Sequence, residues 1–448
     1  MTDQLEPSWR VVKGDEDDGV PFKVADRARV HATLIGASAD RDLTWSRGSL
    51  LSQLTKCDSI PASLADAARA ARGALDAKRE EVLTQFDEVA KKAEAAAKQL
   101  GVRVASGYKA DLDSDGINIR LGGLALHDGA IPLRQLGLGS KRMLATGLHK
   151  EGVESPHVTL LDEVEFGLEP HRIARVLKYI SNDDTGQYFI TTHSPVVLRE
   201  LTVKNLHVVH SKNGLTSVVA ADQPGLADSI QGRIRSKAEA FLAPRVVVCE
   251  GCTEVGFLRA VDAFWLTQDK NSFAYQGVAL FDANGSSNIK SIVRDLLALS
   301  YDVAVVADSD DQKNFPDSLA DTLRDQGVDV ISWTENMCLE GRVFTEVPWS
   351  AVLGSIDVAA EFKGRDGLIH QVKEKYVKPL DSDPANWTES SELRVAIGKA
   401  ANEHDWFKRT DKGEKWGEII APLLSTNALE KTDLSRKMSA LRDWVDRA

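Results

Sequence analysis

The sequence predicts an α/β protein with two parallel-sheet units followed by a helical region. Three observations predict it. Short apolar runs end in acidic or histidine residues, as buried strands do at a functional sheet edge. Helically spaced stretches separate these runs, which is the alternation of a parallel sheet. After about residue 346 the strand-like runs stop and helical patterns continue to the end. The expected division is one α/β unit over 1–240, a second over 243–345 and a helical region over 346–448.

Length and composition bound the rest. The 448 residues are 43% hydrophobic, enough for two or three cores. There are 55 basic and 67 acidic residues, for a net charge of −12. That balance argues against a broad basic surface for wrapping nucleic acid and leaves room for a local track or metal-assisted contact. No apolar run approaches the ~20 residues that span a bilayer, so no membrane contact is expected. The polar, acidic start MTDQLEPSWR is unlike a targeting segment, so a cytoplasmic location is expected. Four cysteines do not make a disulfide framework.

From about 62 to 100 the chain is rich in Ala, Lys and Glu with no proline, which predicts an exposed helical arm. The turn Leu136-Gly137-Leu138-Gly139-Ser140 opens a helix through Lys141, Met143 and Leu148. Val158–Leu161 reads as a buried strand ending in Asp162-Glu163, followed by Gly167-Leu168-Glu169-Pro170 and a helix to Ile180. Tyr188–Thr192 is the next strand, ending at His193. Each feature has a use around a nucleotide. A Gly-Ser turn at a helix N-terminus offers N–H groups and a hydroxyl to phosphate. Asp162 can hold Mg²⁺ through water. Glu163 can orient or deprotonate a water, and His193 can sense a terminal phosphate.

In order and spacing this set resembles the C-terminal half of an ABC-type ATPase of the SMC kind. Ser140 then belongs to the signature loop LGLGSKR, Asp162 and Glu163 to the Walker B motif LLDE, and His193 to the switch position. The sequence contains no G-x-x-x-x-G-K-[ST] loop to cradle the α- and β-phosphates. In the family that loop precedes everything seen here, so the resemblance implies a missing N-terminal piece. ATP is expected only where a Walker A loop is supplied elsewhere, for example by a partner subunit.

A second strand–helix series begins at Arg245. Val246–Cys249 leads to Glu250-Gly251-Cys252-Thr253-Glu254, which opens a helix. Val278–Phe281, the helix Ile289–Leu299 and the strand Val303–Ala307 follow, the last reaching Asp308-Ser309-Asp310-Asp311. So many carboxylates at neighbouring strand ends repel one another unless cations lie between them. Hard oxygen ligands select Mg²⁺ or Mn²⁺, and two such ions support phosphodiester cleavage. Glu340, after the fourth strand, is a further candidate ligand. Cys249-x-x-Cys252 has no second cysteine pair nearby, which disfavours zinc.

The motifs CEGCTE and ADSDD resemble those of the Toprim domain. A partial ABC ATPase followed by Toprim resembles the OLD (overcoming lysogenization defect) nucleases. The tract Asp42–Ser49 also looks like that family's mid-ATPase region. The resemblance implies a two-metal DNA endonuclease with Glu250, Glu254, Asp308 and Asp310 at its centre. It implies dimerisation through the ATPase part, a partner subunit or helicase, and a role in phage defence or DNA repair. It also implies that a late lysine returns to the metal site. Lys408, beside Trp406 and Phe407, is the first choice over Lys412 and Lys415.

Two rivals come from other classes. A Toprim topoisomerase needs a tyrosine nucleophile on a DNA-binding domain, and the six tyrosines here sit in no such context. A non-catalytic SMC-like subunit would explain the missing phosphate loop but not the collected carboxylates.

Overall fold

The computed structural model describes residues 131–152, 157–212 and 214–447, with the short pieces 10–11, 19–21, 31–36 and 127–128 and residues 51 and 70. The expected helical arm at 62–100 and the Asp42–Ser49 tract lie outside the described residues. The chain forms two compact units, Met1–His193 and Ser194–Ala448.

In the first unit a parallel sheet runs β1 (His31–Ile35), β2 (His157–Leu161), β3 (Gly186–Ile190), with β2 in the middle. Helix α1 (Leu138–Gly152) precedes β2, and α2 (Pro170–Ser181) joins β2 to β3. Pro170 begins α2, where its missing N–H costs nothing. Ile173, Val176, Leu177 and Ile180 recur at helical spacing and are buried.

The second unit opens with a short helix, Pro195–Glu200, followed by an antiparallel hairpin, β4 (His207–Lys212) and β5 (Leu215–Ala220), and α3 (Ala227–Lys237). A four-stranded parallel sheet follows: β6 (Arg245–Cys249), β7 (Val278–Asp282), β8 (Asp302–Ala307) and β9 (Asp329–Ser332), in the order β7-β6-β8-β9. β6 and β8 are central, and Val246–Cys249 and Val303–Ala307 are buried throughout. That is why these two strands read as unbroken apolar runs.

The crossover helices are α4 (Cys252–Thr267), α5 (Ser286–Ala298) and α6 (Asp317–Asp325). α3, α5 and α6 contribute Ile230, Ile292 and Leu323 to one core; α4 contributes Phe257 and Val261 to another. The remaining helices are α7 (Leu339–Glu346), α8 (Trp349–Lys363), α9 (Arg365–Lys375), α10 (Ser391–Glu403), α11 (Thr410–Ile420) and α12 (Asp433–Asp446). They extend the α4 core with Phe344, Trp416 and Trp444, and the loop between α10 and α11 adds Trp406 and Phe407. The helical C-terminal region thus shares its core with the sheet.

The α4–α11 contact is unusually close, and glycine makes it so. A Cβ on Gly256 would land on the backbone of Thr410 and Glu414, one on Gly413 on the carbonyl of Thr253, and one on Gly417 on Ala260. Phe407 stacks on Trp416 at 4.2 Å between ring centroids and Trp416 donates to Ser355 Oγ at 3.0 Å. At the far end α12 is tied to β6: Arg245 donates to the carbonyls of Val445 and Trp444 and lies 4.0 Å over the Trp444 ring.

Candidate metal centre and nucleotide-site remnant

The carboxylates gather at the C-terminal edge of the second unit's sheet. Glu250 follows β6, and its Oε2 accepts the Asp308 N–H at 3.0 Å across the neighbouring strand end. Glu254 sits at the third position of α4 and accepts the Gly251 N–H at 2.8 Å, closing the helix start with a carboxylate where the helix field favours one. Asp308 Oδ1 accepts from Trp333 Nε1 at 3.0 Å and from the Leu339 N–H at 2.9 Å. Glu340, in the first turn of α7, is buried with Glu254 and Asp308. One oxygen of Glu250, Glu254 and Asp308 is therefore oriented by an N–H donor.

Burial and mutual repulsion raise every one of these groups. Glu250 is pushed up to about 7, by burial first and by Glu254 next. Glu340 is pushed up to about 8 by burial, then by Glu254. Burial lifts Glu254, and it lifts Asp308 well above the carboxylate range, with Glu254, Glu250 and Glu340 adding to the latter. Asp310 is exposed; partial desolvation still raises it, and the side-chain amide of Asn402 reaches its Oδ2 at 3.5 Å. Asp311 is turned away, holding Ser286 Oγ at 2.5 Å and Asn314 Nδ2 at 2.8 Å, and these bonds lower it.

This donor set fits a hard divalent cation, being all oxygen and buried with excess negative charge. Among the described residues no three His, Cys, Asp or Glu side chains are already drawn around one point. Cys249 is buried in β6 and Cys252 half-buried in the loop, and burial raises both thiols, which leaves neither a ready thiolate.

The shifts set a stability expectation. In an unfolded chain Glu titrates near ~4.3; in the fold Glu250 and Glu340 titrate at about 7 and about 8. Across that window the folded state binds more protons than the unfolded one, so stability falls as pH rises. The melting temperature of the ion-free protein should decline from about pH 5 to about pH 8. Mn²⁺ should restore it, most at the alkaline end. A melting temperature indifferent to both pH and Mn²⁺ would count against a buried carboxylate site.

Lys408 comes to the same neighbourhood from the far end of the chain. Trp406 and Phe407 beside it are fully buried, and the Phe407 carbonyl accepts from Thr253 Oγ1 at 3.3 Å, one residue from Glu254. Its ammonium pairs with Asp405 at 3.1 Å, which chiefly raises it, and it feels Glu340 and Cys252. Lys412 and Lys415 instead lie over the Phe362 ring at 5.0 and 5.7 Å, and Lys415 pairs with Glu361 on α8. One neighbouring carboxylate escaped the sequence reading. Asp282 ends β7 opposite Cys249, pairs with Lys237 at 3.4 Å and raises Glu254 and Cys252. Its strand-end position was the available signal. Asn402 carried none.

In the first unit, Asp162 and Glu163 follow β2. Thr191 Oγ1 donates to Asp162 Oδ1 at 2.6 Å and accepts the Glu163 N–H at 2.8 Å, where Glu163 has φ +47°. His193 is exposed and its N–H donates to Glu165 at 2.7 Å. Ser140 Oγ accepts from Arg172 at 3.1 Å. Gly139 packs so closely on the Gly167 carbonyl that a Cβ would collide with it, which seats the LGLGSKR turn on the segment after Glu163. Arg142, buried on α1, donates to the Asp162 carbonyl and was not singled out from sequence.

The fold and these two edges define an ATPase-like module followed by a Toprim domain. The "AAA domain, putative AbiEii toxin, Type IV TA system" family model matches residues 10–199. The "Overcoming lysogenization defect protein-like, TOPRIM domain" model matches residues 241–310. In this order the two matches make the chain's architecture that of the OLD family. The second match takes in Glu250, Glu254, Asp308 and Asp310 and stops before Glu340 and Lys408. No curated protein matches the chain. Among the described residues no helix is long and apolar enough to cross a membrane.

Proposed function

We propose that the protein is a metal-dependent DNA endonuclease of the OLD type. The observation that carries this reading is the convergence of half-buried Glu250 with buried Glu254, Asp308 and Glu340 at one sheet edge, near Lys408. Toprim domains generally bind divalent metal ions, and a structural role gives no reason to bury so many like charges. Glu250, Asp308 and Glu340 are the residues to hold Mg²⁺ or Mn²⁺, with Glu254 and Asp310 completing the set. Bound there, two such ions activate water and stabilise the leaving oxygen of a phosphodiester. Trp333 and the Leu339 N–H fix the Asp308 carboxylate, and the Asp308 N–H fixes Glu250. Lys408 supplies positive charge where the phosphate gains negative charge. Purified protein should nick plasmid DNA with Mg²⁺ or Mn²⁺ and without ATP, and EDTA should stop it. Protein that binds DNA but leaves it intact under these conditions would favour a non-catalytic subunit.

For the first unit we propose dimerisation and regulation, with ATP bound only when a phosphate loop comes from a partner. Ser140, Asp162, Glu163 and His193 are present, but the sequence holds no G-x-x-x-x-G-K-[ST]. The purified chain should show no ATP turnover, and hydrolysis should appear on adding a loop-bearing subunit. Turnover by the chain alone, reduced to background by Glu163→Gln, would locate a phosphate site within residues 1–135.

A further inference from the structure

We propose that the groove between α5 and α6 is the track that holds the sugar–phosphate backbone of DNA as it leaves the carboxylate edge. The inference rests on the nuclease reading above and adds the surface that reads the substrate's charge. α5 and α6 both start from loops at the active edge of the sheet. The start of α5 is pinned there twice: the Gly285 N–H donates to the Glu250 carbonyl at 2.8 Å, and Ser286 Oγ donates to Asp311 at 2.5 Å. From that point the helices carry facing stripes at i, i+3, i+4 and i+7 spacing.

The α5 stripe is Ser287, Lys290, Ser291 and Arg294, and across from it α6 presents Leu319, Thr322 and Leu323, with Gln326 just past its end. The groove they line has a volume of about 340 Å³, and no carboxylate is among its lining residues. Just behind it, buried Asp295 binds Arg294 at 2.8 Å and Arg233 at 2.6 Å, and Arg233 also donates to Ser291. Two arginines thus hold one buried carboxylate behind the groove, and Lys290 stands in the groove itself, in a chain whose net charge is −12. Lys290 and Arg294 are one turn apart, about 6 Å. One DNA strand carries a charge every ~3.4 Å of its axis, so the pair matches about two phosphates. The serines, threonine and amide offer hydrogen bonds to phosphate and sugar oxygens, which position a strand without reading its sequence.

The test is the salt dependence of cleavage by the full chain. Each phosphate contact contributes about 0.9 to the slope of log affinity against log salt on duplex DNA. In Lys290→Ala/Arg294→Ala the slope of log KM against log salt should fall by about 1.8, and in Lys290→Ala alone by about 0.9. KM should rise at low salt, kcat at saturating plasmid should hold, and the melting temperature should stay close to the parent's. A double variant that keeps the parental slope and KM overturns the track while leaving the nuclease reading intact. So does one that loses kcat at unchanged slope, because the residues then act on chemistry. A parent that neither cuts nor binds DNA overturns the nuclease reading and the track with it. If an acidic peptide, but not DNA, competes for the groove in a manner abolished by the double variant, the surface belongs to a protein partner.

Discussion

Glu250→Ala and Asp308→Ala should each reduce plasmid cleavage by about 10³ or more. Charge stabilisation by bound metal supplies several kcal/mol of the barrier, and every ~1.4 kcal/mol is a factor of ten in rate. The alanine variants alone would mix two effects at Asp308. Its Oδ1 satisfies the Trp333 and Leu339 N–H groups, and a buried donor left unmade costs about 1–3 kcal/mol. Asp308→Asn and Glu250→Gln separate them. Each keeps an oxygen acceptor for the same donors and removes the charge a cation needs. They should melt near the parent in EDTA, lose the rise in melting temperature that Mn²⁺ gives the parent, and lose cleavage. Should the Asn and Gln variants cut at the parental rate, these carboxylates are not the metal's ligands.

Lys408→Ala should slow cleavage by about 10²–10³, the range for removing one preorganised electrostatic group. The loss should appear in kcat, and the thermal shift with Mn²⁺ should survive. The ammonium itself is exposed and its stem adds little to the core, because Trp406 and Phe407 do the anchoring. Lys412→Ala and Lys415→Ala should cut close to normally, since both side chains lie against Phe362 on α8. A large loss in either of them, with Lys408→Ala nearly normal, would move the role to that lysine.

Much of this was legible before the structure. β6 and β8 are the central strands of a doubly covered sheet, so burial on both faces forces unbroken apolar runs. The first polar residue after each, Glu250 or Asp308, marks the functional edge. The first unit's motifs were legible for the same reason, because Asp162 and His193 sit just past the ends of β2 and β3. Asp282 went unread because β7 is an edge strand with a half-buried, less distinctive pattern. The hairpin β4–β5 was also passed over, although Asn213-Gly214 between its strands is a strong turn signal. Among the three late lysines only tertiary contacts discriminate: all sit in one basic stretch, and sequence does not say which faces Glu340 and which faces Phe362.

The glycine-lined seam between α4 and α11 has a consequence for the timing of activity during synthesis. Glu250, Glu254, Asp308 and Glu340 leave the ribosome long before Lys408, the seam's Gly413 and Gly417, and the α12 segment that clasps Arg245. At ~5–20 residues per second, the stretch from Glu340 to Ala448 takes roughly 5–20 s to make. Through that interval the carboxylates have been made but their lysine has not, and α4 has no partner helix to cover its glycine face. On the nuclease reading, a nascent or prematurely ended chain therefore lacks the lysine assigned to the phosphate. A nuclease with an early, self-sufficient site could damage its host's DNA from every aborted translation event; on the nuclease reading, placing Lys408 and the seam glycines late makes cutting depend on finished synthesis.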